Sequence, residues 1–232
     1  NNKMKIDIIT LFPKMFEGPF SESIVNRARE KDLVEINIHN LRNWATDKRK
    51  TVDDRPFGGG AGMVLKVEPL YKAIEELRTE ESLVIYTTPQ GEKLAQEMSN
   101  KFSTQNHLII ICGHYEGLDE RIRENLVDVE ISIGDYVLTG GELPAMVIVD
   151  SIVRLIPGVL SKEESFLNES FSDTKNKTLE HPHYTQPAKF TTSKGDVWEV
   201  PDILLSGNHY EIDNWRQEQS IKRTKCKRPD LL

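Results

Sequence analysis

The run His107-Leu108-Ile109-Ile110-Ile111-Cys112 constrains the fold more than any other stretch. Side chains of a strand point alternately to opposite faces, so an apolar run has no face to give to water. Such a strand belongs in a sheet covered on both sides, which in practice is a parallel sheet flanked by helices. Parallel neighbours need long crossovers, and the rest of the chain supplies them. The sequence predicts strands over residues 5–11, 33–39, 83–87 and 128–133, and helices over 21–30, 92–102 and 144–156. A further helix begins near Pro69, with Leu70, Ile74 and Leu77 at helical spacing. Alternating strands and helices define an α/β fold. After Leu160 the texture turns polar, and helices are predicted only at 202–205 and 208–223. A domain boundary is expected between 160 and 170.

At 232 residues the chain can bury a core without staples. Apolar residues make up 38%, and no run of about 18 apolar residues is present to span a membrane. Neither an apolar leader nor a CxxC pair occurs, and Cys112 and Cys226 suit a reducing compartment. A cytoplasmic protein is the expectation. The net charge of −7 disfavours nucleic acid only until local charge is read. Residues 215–228 hold six cations against Glu218 alone, the footprint of a nucleic-acid surface or of a solvated helix face.

Ligands of open α/β sheets bind beyond the carboxyl ends of strands. Three predicted strands end in turn-rich loops: Tyr86-Thr87-Thr88-Pro89, residues 113–121, and residues 132–141. Together they could enclose a small molecule, although Gly and Asp are also ordinary turn residues. Residues 40–63 form a long polar stretch carrying Lys48-Arg49-Lys50 and Gly58-Gly59-Gly60-Ala61-Gly62, suited to a phosphate backbone, a flat base or a solvated loop. Neither G-x-G-x-x-G nor a P-loop occurs, which demotes ordinary dinucleotide and ATP binding. His181-Pro182-His183 lacks the further ligands a metal needs, so no metal site is assigned. Arg154 ends an apolar helix, where it either pairs with Asp150 four residues back or faces a site.

Several strings then carry a resemblance. Ile9-Thr10-Leu11-Phe12-Pro13, Val52-Asp53-Asp54-Arg55-Pro56-Phe57-Gly58-Gly59-Gly60, Gly113-His114-Tyr115-Glu116-Gly117, Arg154-Leu155-Ile156-Pro157-Gly158 and Leu205-Ser206-Gly207-Asn208-His209 are among them. The most specific is Ser132-Ile133-Gly134-Asp135-Tyr136-Val137-Leu138-Thr139-Gly140-Gly141-Glu142-Leu143-Pro144. The chain resembles the bacterial tRNA (guanine-N1)-methyltransferases of the TrmD family along nearly its whole length.

That resemblance implies a SPOUT-type parallel sheet with a deep trefoil knot and a small helical C-terminal domain. It implies a catalytic domain at 1–160, a linker at 161–175 and a tRNA-binding domain at 176–232, working as a homodimer. S-adenosylmethionine is the implied methyl donor, with Mg²⁺ a candidate ion. Tyr86, Thr87, Thr88 and Pro89, then Gly113, Tyr115 and Glu116, are implied to hold the donor. So are Ser132, Ile133, Gly134, Asp135, Tyr136, Val137, Leu138, Gly140, Gly141 and Pro144. Asp53, Gly58, Gly59 and Ser170 are implied substrate contacts. The implied reaction methylates N1 of guanosine 37, with Arg154 stabilising charge on O6 and a linker carboxylate as base. Where the family has Asp-Ser-Phe this chain has Glu169-Ser170-Phe171, one methylene longer. Ala61 stands where many members carry Pro, Gln186 replaces a usual Arg, and residues 174–177 read as an insertion.

Overall fold

The computed structural model describes residues 3–160, 170–171 and 178–232. The chain divides into two compact units, residues 1–161 and 162–232. Glu169 lies outside the described residues, as does most of the expected linker.

In the first unit β1 (Met4–Thr10) runs through a 3-10 turn, α1 (Glu17–Phe20) and α2 (Ser23–Glu30) to β2 (Val34–Asn40). The polar stretch that follows is not one open loop. It contains a 3-10 turn at Leu41–Trp44 and the short pair β3 (Asp53–Asp54) and β4 (Val64–Leu65), which are antiparallel. Then come α3 (Val67–Leu77), β5 (Ser82–Lys93), α4 (Gln96–Phe102), β6 (His107–Cys112), α5 (Glu120–Leu126), β7 (Val129–Ser132) and α6 (Glu142–Val153).

The main sheet has the order β2-β1-β6-β5-β7, parallel throughout. The all-apolar β6 takes the centre and is buried at every position. On one face Ile8, Leu108 and Ile110 pack with Ala145, Ile148 and Ile152 of α6. On the other, Val84, Ile109 and Ile111 join Leu70, Ala73 and Ile74 of α3. α6 is so apolar because it packs against β6 on one side and against α4 and α2 on others: eight of its twelve residues are buried.

Two boundaries depart from the sequence reading for stated reasons. Glu92 and Lys93 were expected to open a helix but extend β5, and α4 starts at Gln96. Ile131 of β7 takes two register partners, Thr87 and Glu92, and Leu94 donates its N–H to Ser132 O at 2.8 Å. Only glycine at 91 allows that return, because a Cβ there would lie 2.6 Å from the Glu130 carbonyl oxygen. Backbone pairing therefore overrides local helix preference. α6 begins two residues before Pro144, which a first helical turn tolerates because its N–H needs no partner.

One face of the sheet carries a buried polar cluster centred on Asp7, midway along β1. Asp7, 0% exposed, accepts from His107 Nε2 (2.7 Å), His39 Nε2 (2.8 Å) and Asn37 Nδ2 (3.1 Å), and pairs with Lys5 Nζ at 2.9 Å. His107 Nδ1 reaches Ser82 Oγ at 2.7 Å. Burial pushes the Asp7 carboxyl up, but the donors from His39, Lys5, His107 and Asn37 outweigh it, and its pKa falls below the usual carboxylate range.

The second unit is not helical alone. A hairpin of β8 (Lys189–Thr191) and β9 (Val197–Glu199) precedes a 3-10 turn at Asp202–Leu205 and α7 (His209–Lys227). Gly195, at φ 91°, makes the tight turn, and Thr192 N donates to Asp196 O at 2.8 Å. Asn208 caps α7, its side chain accepting from Glu211 N. The buried Thr224 hydroxyl accepts from Leu179 N at 2.8 Å and fixes the incoming strand of chain on α7. Among the described residues no helix is long and apolar enough to cross a membrane.

Candidate active site

The carboxyl ends of β5, β6 and β7 open into one cleft of about 240 Å³. Its walls come from residues 86–90, 113–118, 131–134 and 136–141, segments far apart in sequence. One hydroxyl ties them together. Thr87 Oγ1 accepts from Gly113 N (3.3 Å) and shares its proton between the carbonyls of Ile111 (3.1 Å) and Gly141 (3.4 Å). Gly141 N donates to Gly113 O at 2.7 Å. A Cβ on Gly141 would strike Thr87 Oγ1 and come within 2.9 Å of Cys112 Cα. A Cβ on Gly113 would lie 2.8 Å from Thr87 O. Glycine at 113 and 141 is therefore what lets the three main chains meet.

The floor is polar. Arg123 of α5 donates from Nε to Glu130 (2.8 Å) and from Nη1 to Gln90 (2.9 Å). Burial raises the pKa of the Tyr86 phenol, so it stays protonated and able to donate. Tyr115 adopts φ 58°, an uncommon backbone for a bulky residue, and presents its ring at the mouth. Behind the cleft, Glu142 is 2% exposed and accepts from Thr10 Oγ1 at 2.7 Å. Burial, and then the Glu142 charge, drive the Cys112 thiol pKa up, so this cysteine is packing and no nucleophile.

Of the residues expected to hold a donor, all but one line this cleft. Tyr86, Thr87, Thr88, Pro89, Gly113, Tyr115 and Glu116 do so, as do Ser132, Ile133, Gly134, Tyr136, Val137, Leu138, Gly140, Gly141 and Pro144. Asp135 does not. Its exposed carboxylate is paired with Lys93, which the return of β5 to β7 carries to that side. Gln90, His114, Leu118, Glu120, Arg123 and Thr139 also line the cleft, although none was named among the donor contacts. His114, Leu118, Glu120 and Thr139 stand inside or beside the turn-rich loops, which was the available signal. Gln90 and Arg123 become cleft residues only through their pairing across 33 positions.

The glycine-rich segment joins the same wall. Leu65 N donates to Gly117 O (2.9 Å), Asp119 N to Leu65 O (2.9 Å) and Glu116 N to Met63 O (3.0 Å). Asp53 lies half-buried in β3, and Gly58 and Gly59 extend beyond it at φ 84° and 79° with open space around them. Ser170 belongs to the second unit, where its hydroxyl accepts from Glu180 N at 3.0 Å. Arg154 caps the end of α6 remote from Pro144. Twelve helical residues span about 18 Å, so Arg154 and the cleft sit at opposite ends of that helix.

The cleft is thus walled by main chain at the carboxyl ends of parallel strands, with the glycine-rich segment on its rim. A family model described as tRNA (Guanine-1)-methyltransferase TrmD matches residues 4–232. The tRNA (guanine-N(1)-)-methyltransferases of Bacillus pumilus (strain SAFR-032) and Bacillus subtilis (strain 168) are each 54% identical over 232 residues, covering 99% of this chain and 92% of theirs. That of Carboxydothermus hydrogenoformans is 54% identical over 229 residues, covering 99% of this chain and 87% of its own. The chain is therefore an enzyme of the methyltransferase class. It belongs to the TrmD family of tRNA (guanine-1)-methyltransferases.

Proposed function

We propose that this enzyme transfers the methyl group of S-adenosylmethionine to N1 of guanosine 37 in tRNA, acting as a cytoplasmic homodimer. The observation that carries the reading is the cleft that Thr87, Gly113 and Gly141 close. Its walls suit a nucleoside-bearing donor. Gly113, Gly134, Gly140 and Gly141 bring main-chain donors and acceptors to the surface, and Ile133, Leu138 and Pro144 add apolar faces. Bound there, S-adenosylmethionine supplies an electrophilic methyl group on its sulfonium. Membership of the family supports a SPOUT-type fold with a deep trefoil knot in this first unit.

The chain's own residues supply the rest. Guanine N1 carries a proton at neutral pH, so its methylation needs a base. By the match of its string, that base is the Glu169 carboxylate. Loss of the proton pushes negative charge onto O6, and a fixed cation lowers the energy of that charge. We assign this to Arg154. Its place at the far end of α6 supports service to the cleft of a second protomer. Leu143 and Val147, 51% and 45% exposed and one turn apart on α6, offer an apolar face for the pairing. Exposed Lys222, Lys225, Lys227 and Arg228 along and just beyond α7 support a tRNA-binding second domain. No group of three His, Cys, Asp or Glu among the described residues converges on a metal position, so Mg²⁺ is given no step.

The test is methyl transfer from labelled S-adenosylmethionine to an unmodified tRNA transcript with guanosine at 37, run beside a transcript with adenosine there. One methyl per guanosine-37 transcript is expected, with a primer-extension stop at that position because N1 lies on the pairing edge. Glu169→Gln should lose about 100-fold or more, while Glu169→Asp retains activity. Methylation of both transcripts, or of neither, would overturn the reading.

A further inference from the structure

Neither the cleft nor the glycine hairpin uses the triplet Lys48-Arg49-Lys50. Residues 42–50 hold four cations, Arg42, Lys48, Arg49 and Lys50, against Asp47 alone, in a chain of net charge −7. We infer that this loop is a phosphate-backbone contact for tRNA on the first unit, a rigid cationic edge beside the substrate hairpin. The inference rests on the tRNA reading above and adds a binding surface to it.

Three observations support it. The loop is built, not loose. Asp47 accepts from Arg49 N (3.1 Å), Thr51 N (2.8 Å) and Thr51 Oγ1 (2.8 Å), which hold its carboxyl below the usual range. Lys50 N donates to Asp47 O at 3.0 Å, and Arg42 Nη1 donates to Lys50 O at 3.1 Å. These bonds keep Lys50 at φ 52°, a backbone that lysine seldom adopts without support.

The charge is also uncompensated. Asp47, the one carboxylate of residues 42–50, is spent on the loop's own donors. Lys48, Arg49 and Lys50 are exposed, and among the described residues none of their heads enters an ion pair. A polyanion thus meets preformed cations whose counterions are free to leave, the source of affinity for a phosphate backbone. A protein partner fits less well, because no apolar side chain interrupts the triplet.

The base of the loop, finally, is fixed to the site. Val52 is fully buried and its carbonyl accepts from Lys66 N at 2.8 Å, directly before β3 and Asp53. Asp53 lies three positions after Lys50, a reach of at most about 11 Å. The cations therefore sit within one short stretch of the strand whose base enters the cleft, and they read no sequence.

The full chain carrying Lys48→Ala, Arg49→Ala and Lys50→Ala tests this, with tRNA affinity measured from 50 to 200 mM KCl. Each phosphate contact costs about 3.5-fold in affinity over that fourfold rise in salt. The variant should therefore lose about 40-fold less affinity across the range than wild type. Its KM for tRNA should rise, with kcat at saturating tRNA and S-adenosylmethionine binding unchanged. Lys48→Arg with Lys50→Arg should keep the wild-type salt response. Should the triple variant melt early, Lys48→Ala and Arg49→Ala singly should each give about one third of the effect on a logarithmic scale. A salt response equal to wild type overturns the inference while leaving the tRNA reading intact. So does an altered sedimentation of the protein alone with the salt response intact, which would make the loop a contact between protein copies. Failure of wild type itself to bind tRNA would remove the reading on which the inference stands, and the inference with it.

Discussion

Replacing Asp7 with Asn tests whether the buried polar cluster around it is an ionic device. The wild-type carboxylate is fully buried and faces four donors, three of them on ionisable side chains. Asn keeps the volume and one acceptor but removes the charge and turns an N–H₂ group toward the imidazoles. Breaking a buried pair from one side costs about 3–5 kcal/mol. Lys5 and His39 are partly exposed and can return to water, which places the loss near about 3 kcal/mol. For a chain of this length that is a fall in Tm of about 6–12 °C. The sign with pH follows from the lowered pKa. Asp7 contributes its full stabilisation above the unfolded carboxyl value, about 3.9, and loses it as pH falls toward the folded value. Urea unfolding at pH 7, 5, 4 and 3 should show a wild-type advantage that is constant to pH 5. Below about pH 4 it should shrink by about 1.4 kcal/mol per pH unit. An advantage under about 1 kcal/mol at pH 7, or one that does not change between pH 5 and 3, would refute the argument.

Gly141→Ala should cost about 1–3 kcal/mol of stability and abolish S-adenosylmethionine binding by calorimetry, since the new methyl strikes Thr87 Oγ1. Thr87→Val leaves Gly113 N without its acceptor, and chemical denaturation should register a loss of about 1–3 kcal/mol. Arg154→Ala should leave donor binding intact and reduce single-turnover methyl transfer by about 100-fold or more; full activity would remove its role at O6. Native protein should react with a thiol reagent at Cys226 and not at the buried Cys112, whose pKa is raised, giving one labelled thiol before unfolding and two after.

Much of the first unit was legible from local pattern. An uninterrupted apolar run placed β6 at the centre, and helical spacing of Leu70, Ile74 and Leu77 placed α3 on one face. The turn-rich strand ends marked the cleft walls for the same reason, since a chain must bend where strands stop. What escaped depended on partners distant in sequence. Glu92 and Lys93 are strand because β7 pairs with them, and Asp135 leaves the cleft because Lys93 waits on the other side. Arg123 and Gln90 form the floor by pairing across 33 positions, a relation that no window of ten residues contains. Asp7 sits in an alternation that reads as an ordinary strand with a wet face, and only its neighbours on β2 and β6 reveal that Asp7 itself is buried. The hairpin of the second unit is short, and its strands are exposed. It carried no apolar alternation strong enough to announce itself.

The closure of the cleft by Thr87 also sets a timetable. Its partners lie 26 and 54 positions further along the chain. At about 5–20 residues per second, a ribosome needs roughly 3–11 s to travel from Thr87 to Gly141. Until then β5 and β6 can pair, but no loop from β7 has arrived to finish the wall. Contacts of such separation come late in folding because a long loop must close first. The cleft is thus among the last features of the first unit to exist, and any molecule that fits it stabilises only the finished enzyme. A compound aimed at this cleft acts on mature protein and finds nothing to grip in the nascent chain.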